Sequence, residues 1–186
     1  MTVQLTLLGH QPAAIDRKFR GLTTHQLSNG AWIHYCLGWL ERDAEVFEHL
    51  VRRTRWQSDR RPMYERVIEV PRLTARYPEQ GSGHPILEDI AVALSQRYSE
   101  TFDQHSAAYY RDGRDSVAPH GDRIGRNTRE SVVAIVSLGH ARRFLLKPTS
   151  GGPSLAFETR FDDLLVMVAP GASVCNFAQS ATDEVA

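Results

Sequence analysis

The chain has 186 residues, with 22 Lys and Arg against 22 Asp and Glu, 41% hydrophobic and 24% charged. That size and balance predict a single domain over 1–186 with a sizeable core, and exclude a low-complexity or disordered chain. No run approaches about eighteen consecutive apolar residues and no charged segment leads into an apolar one at the N-terminus, so a soluble, cytoplasmic protein with no membrane partner is expected.

Residues 3–8, Val-Gln-Leu-Thr-Leu-Leu, read as an opening strand followed by a loop around Pro12. Asn29-Gly30 marks a turn before Ala31-Trp-Ile-His-Tyr-Cys-Leu-Gly-Trp-Leu40, a strand and its exit in which His34 is a packed residue rather than a ligand. Asp43 stands where it caps a helix whose Val46, Phe47, Leu50 and Val51 share one face, with Trp56 closing that face. Met63 to Val70 reads as a strand that Pro71 breaks. Pro85 then opens a second helix with an apolar stripe of Leu87, Ile90, Ala91 and Leu94.

From residue 105 the texture changes to short apolar runs divided by turn residues: 105–110, 116–120, 132–138, 144–146, 154–157 and 164–168. Such spacing indicates a sandwich or barrel. The expected fold class is α+β with a mainly β core and helices packed outside. Cys36 and Cys175 fit neither a metal nor a disulfide spacing and read as small buried hydrophobes in a reducing compartment.

Positions 52–76 hold eight Arg (52, 53, 55, 60, 61, 66, 72 and 76) against Asp59, Glu65 and Glu69, a segment of net +5. Either it contacts phosphates or it reflects a chain in which Arg outnumbers Lys by 20 to 2. Further on, Tyr110-Arg-Asp-Gly-Arg-Asp-Ser-Val-Ala-Pro-His120-Gly-Asp122 ends in a His-x-Asp pair. On a strand, residues i and i+2 share a face, so His120 and Asp122 offer an imidazole and a carboxylate to one ion, two members of a facial iron triad. Chance also produces such pairs, so the neighbours decide. Asp112-Gly113 favours a tight turn folding the Tyr110 strand back beside the His120 strand, which brings the Tyr110 hydroxyl near a small anionic cosubstrate. Tyr110 as an ordinary strand aromatic, and Arg142 as a surface cation, are the plainer alternatives.

Taken in order, these pieces resemble the AlkB-like Fe(II)- and 2-oxoglutarate-dependent dioxygenases that remove alkyl groups from nucleic acids. The matching residues are Trp56, Met63-Tyr-Glu-Arg-Val-Ile-Glu-Val-Pro-Arg72, Tyr77, Tyr110-Arg-Asp-Gly-x-Asp, His120-x-Asp122, Val136-Ser-Leu-Gly-x-x-Arg142-x-Phe144 and Asp163-Leu-Leu-Val-Met167. The resemblance implies a double-stranded β-helix, or jelly roll, with iron at its mouth. Residues 1–104 would form an N-terminal extension with a substrate-side lid and two helices, and 105–186 the β core. It assigns His120 and Asp122 to the metal, Tyr110 to 2-oxoglutarate, and Arg72, Tyr77 and Arg142 to an alkylated DNA or RNA substrate, with no catalytic side chain beyond the metal ligands. In that chemistry Fe(II) and O₂ convert 2-oxoglutarate to succinate and CO₂ and hydroxylate the N-alkyl carbon, which leaves as an aldehyde.

The chain also departs from the family pattern. The family's second His ligand and its cosubstrate Arg follow the Asp-Leu-Leu-Val-Met strand, yet no His follows His140 and no Arg follows Arg160. Gln179, in Asn176-Phe-Ala-Gln-Ser180, stands where the His is expected, and a carboxamide is a poor substitute for imidazole on Fe(II). Ala108 replaces a cosubstrate-side Asn, Pro119 forces an edge or bulge before His120, and His140 is a candidate third ligand. A core incomplete after about residue 168 and impaired activity are therefore expected, the alternative being a non-catalytic nucleic-acid-binding member of the family.

Overall fold

The computed structural model describes residues 12–27, 30–63, 66–77, 83–120, 130–148, 153–170 and 175–181, with the backbone alone for 61–63, 66–68, 118–120, 130–131, 148, 169–170 and 175–181. The expected strand at residues 3–8 and the whole of Asp122 lie outside the described residues. The strands are β1 (Ala14–Ile15), β2 (Leu22–Gln26), β3 (Trp32–Cys36), β4 (Leu40–Glu41), β5 (Gln57–Met63), β6 (Arg66–Tyr77), β7 (His105–Tyr109), β8 (Val117–His120), β9 (Glu130–Val136), β10 (Arg142–Pro148), β11 (Leu155–Thr159), β12 (Leu164–Pro170) and β13 (Cys175–Ala181). Two helices, α1 (Asp43–Arg53) and α2 (Ile86–Tyr98), precede β7. The described chain is thus mainly β with two helices.

Two four-stranded sheets dominate, in the orders β2-β3-β12-β9 and β11-β10-β13-β8, with a three-stranded sheet β5-β6-β7 beside them. The side-chain alternation of β12 explains the layering. Leu165 and Met167 point into a cluster with Ile33, Phe144, Leu146 and Phe157, which joins the two large sheets face to face. Leu164 and Val166 point the other way, into a cluster with Trp39, Val46 and Leu50 beside α1 and Ile86, Ile90 and Leu94 of α2. A strand covered on both faces has no room for polar alternation, hence the unbroken apolar run from Leu164 to Val168.

Arg42, left-handed at φ 61°, rather than Asp43, occupies the N-cap of α1; Asp43 and Glu45 lie in its first turn and Arg52 and Arg53 in its last, each sign favourable to the helix dipole. The amide of Ile86 at the start of α2 donates to His84 Nδ1 at 3.2 Å, so His84 satisfies one otherwise orphaned N–H. Val46 and Leu50 are buried as the apolar spacing of α1 predicts; on α2 the buried set is Ile86, Ile90, Ala93 and Leu94, while Val92 stays exposed.

Three expectations change. Pro71 does not break its strand but sits within β6, where the β5 pairing skips from Glu69 to Leu73 across a bulge and the β7 pairing begins only at Leu73, so no ladder asks for its missing N–H. β7 and β8 do not pair with each other: β7 pairs β6 and β8 pairs β13, so the 110–116 segment is a corner between sheets instead of a hairpin turn. Gly113 is absent from the positive-φ positions, and the corner is held by side chains instead. Strand structure also continues past residue 168, because β12 runs to Pro170 and β13 lies between β10 and β8. Among the described residues no helix is long and apolar enough to cross a membrane.

Candidate functional site around Tyr110

The corner between β7 and β8 is built from short-range charge. Arg111 donates from its backbone amide to Asp115 at 2.8 Å, and its side chain holds the same carboxylate through Nε at 2.8 Å and NH2 at 2.9 Å. Asp112 accepts the Arg114 amide at 2.9 Å and the Arg114 guanidinium at 2.8 Å. Both carboxyls are held below the ordinary carboxylate value, Asp115 chiefly by Arg111 and Asp112, at about 2, chiefly by Arg114. The Ser116 amide donates to the Pro71 carbonyl at 2.9 Å, tying the corner to β6.

Arg142, the first residue of β10, closes the corner from the sheet that β8 also belongs to. Its NH1 and NH2 donate to the carbonyls of Asp115 and Asp112, both at 3.2 Å, and its guanidinium lies 4.2 Å from the centre of the Tyr110 ring. Burial pulls its pKa down. Arg72 reaches the same tyrosine from β6, its NH1 donating to the Tyr110 hydroxyl at 3.3 Å. The Nε of Arg72 is buried and has no hydrogen-bond partner among the described residues. The structure therefore brings Arg72, Tyr110 and Arg142 together, from three separate elements, around one phenol.

Tyr77 is not part of this group. On β6, Arg72, Thr74 and Arg76 alternate with Leu73, Ala75 and Tyr77, and the latter face is the core-facing one, with Ala75 and Tyr77 buried. The Tyr77 hydroxyl shares a hydrogen bond of 2.6 Å with Thr54 just beyond α1. Tyr77, expected to face the substrate, is buried and bonded to Thr54, away from Arg72, Tyr110 and Arg142. Trp56, likewise, donates from Nε1 to the Val51 carbonyl at 3.2 Å and packs against Tyr109. His34 faces Tyr98, its Nδ1 3.0 Å from the hydroxyl, as a packed residue. His140 is exposed, in the loop before β10.

For the metal residues only the backbone of His120 is described. It ends β8, and the register places Phe177 of β13 opposite it, with Gln179 opposite Val117 and Phe144. Among the described residues no group of three or more His, Cys, Asp or Glu side chains is arranged to hold a metal. Sequence reasoning overlooked Asp112 and Asp115 as the frame of the site; the Arg111–Asp115 and Asp112–Arg114 charge spacing was the available signal. Gly139 of the Ser-Leu-Gly motif has a structural cause, since its φ is +80° and an added Cβ would meet the Phe47 ring at 3.0 Å. No family model matches the chain, and no curated protein matches it either.

Proposed function

We propose that the chain is an AlkB-like Fe(II)- and 2-oxoglutarate-dependent dioxygenase acting on alkylated nucleic-acid bases, its two facing sheets being the double-stranded β-helix, and that its turnover is impaired. The ordered set of motifs from Trp56 to Met167 carries this reading. His120 and Asp122 supply an imidazole and a carboxylate, a donor set suited to Fe(II). When bound, Fe(II) with 2-oxoglutarate and O₂ supplies the oxidation of the N-alkyl carbon. The unpartnered, buried Nε of Arg72 beside the Tyr110 hydroxyl suits a carboxylate oxygen, which supports a cosubstrate in this corner. The exposed arginines Arg60 and Arg76 of the β5–β6 ribbon are suited to nucleic-acid phosphates.

The second reading, a non-catalytic nucleic-acid-binding member, is favoured by one observation: the strand beside His120 carries Phe177 opposite it and Gln179 two residues on, and no imidazole. Incubation with Fe(II), 2-oxoglutarate and a methylated oligonucleotide separates the two. Slow but measurable succinate and formaldehyde release supports the impaired enzyme, while release at an ordinary enzymatic rate contradicts the impairment. Salt-dependent oligonucleotide binding that survives a chelator, with no succinate at all, supports the binding module.

A further inference from the structure

β7 and β8 pair with different strands, so the residues between them have no ladder to join. Within that corner the Asp115 amide donates to the Asp112 carbonyl at 3.2 Å, and Arg142 supplies further bonds from outside it. Its NH1 reaches the Asp115 carbonyl and its NH2 the Asp112 carbonyl, at 3.2 Å each. The two acceptors stand at either end of the turn, and the planar fork of a guanidinium suits such a pair where the single ammonium of Lys does not. The same guanidinium lies over the Tyr110 ring, 4.2 Å from its centre. One flat group thus braces the turn through its donors and the phenol through its charge.

Arg142 is itself fixed from behind. Its carbonyl accepts from the Thr159 hydroxyl at 3.0 Å, and Thr159 is 1% exposed. A phosphate contact has a different setting: Arg60 and Arg76 extend into solvent from the β5–β6 ribbon, whereas Arg142 is half-buried.

We propose that Arg142 is a positioning residue for Tyr110, and not a nucleic-acid contact: it fixes where the phenol hydroxyl stands. The inference deepens the reading above and rests on it only for what the hydroxyl meets, a 2-oxo acid cosubstrate. Arg72 completes the arrangement from β6, its NH1 donating to the hydroxyl at 3.3 Å, so the phenol is held at its face and at its tip by different strands. Asp112 and Asp115 take part through their carbonyls, because their carboxylates belong to Arg114 and Arg111.

The test is a double-mutant cycle on the full chain. Calorimetric titration of 2-oxoglutarate, with Mn(II) as a redox-inert ion, compares wild type, Arg142→Met, Tyr110→Phe and the double variant. Arg142→Met should weaken binding by about five-fold when Tyr110 is present, and change nothing once the hydroxyl is gone. Arg142→Lys, which keeps the charge over the ring and loses the fork, should recover part of the loss. Losses that simply add overturn the proposal, as does an Arg142→Met protein of wild-type affinity.

A second measurement reads the phenol without the cosubstrate. With 3-fluorotyrosine at position 110 alone, the fluorine NMR resonance of Arg142→Met should move toward that of the free amino acid while thermal unfolding shows the chain still folded. An unmoved resonance overturns the positioning. If Arg142→Met fails to fold, Arg142→Lys carries both measurements with partial effects. Oligonucleotide binding by wild type and variant should share one salt slope, and a loss of about one unit in the variant would make Arg142 a phosphate contact and sink the proposal. Wild type that binds no 2-oxoglutarate refutes the cosubstrate reading alone, and the fluorine shift then decides the positioning by itself.

Discussion

Asp163 is 1% exposed and accepts three donors: the Gly38 amide at 3.0 Å, the Arg160 amide at 2.8 Å and the Tyr35 hydroxyl. It ties the turn after β3 to the turn before β12, so the first residue of Asp-Leu-Leu-Val-Met is explained by folding. Asp163→Ala strands those donors and should cost about 3 kcal/mol; a urea-derived loss below about 1 kcal/mol would contradict this account. Asp115 differs, because its partner Arg111 is half exposed and its effect is best read through pH. A carboxyl depressed in the folded state contributes stability above the unfolded value of about 3.9, and loses it as pH falls through the folded value. The stability gap between wild type and Asp115→Asn should therefore be present at neutral pH and close below about pH 4. A gap constant from neutrality to pH 3 would sink the assignment.

At the scale of elements, the start of α2 is sensitive to acid. His84 Nδ1 accepts the Ile86 amide, and its ring stands edge-on to His49 with centres 4.9 Å apart. Burial lowers the His84 pKa, His49 lowers it further and Glu45 opposes them. A histidine depressed in the folded state contributes stability above the unfolded value of about 6.5 that is lost as pH falls through the folded value. Protection of the first-turn amides of α2, measured against their intrinsic exchange rates, should thus fall as pH drops below the unfolded value of about 6.5. His84→Asn, which accepts at any pH, should flatten that dependence, and an unchanged profile in this variant would refute the cap. The β9–β10 connection obeys a different constraint. Gly139→Ala meets both a positive φ and the Phe47 ring, and should lower stability by roughly 1–3 kcal/mol in thermal unfolding.

The whole molecule depends on the layer between its two large sheets. Phe144 of β10 is fully buried among Ile33, Leu146, Phe157 and Leu165, drawn from both sheets. Phe144→Ala should cost about 3–5 kcal/mol by removing contacts across the sandwich. A much smaller loss in chemical denaturation would mean that the sheets are joined elsewhere.

Periodicity and turn residues in the sequence determined which segments form helices and strands over most of 31–168, because a 3.6 or 2.0 repeat follows directly from how side chains leave the backbone. The resemblance of the ordered motifs marked Tyr110, Arg72 and Arg142 one at a time. Pairing was beyond them, since alternation specifies which face is apolar and leaves the neighbouring strand undetermined. Only the tertiary structure put β7 and β8 in different sheets, inserted β13 between β10 and β8 with Phe177 opposite His120, and turned Tyr77 into the core. The convergence of Arg72, Tyr110 and Arg142 on one phenol likewise joins residues 38 and 32 positions apart in the chain, through contacts between sheets that no local pattern encodes.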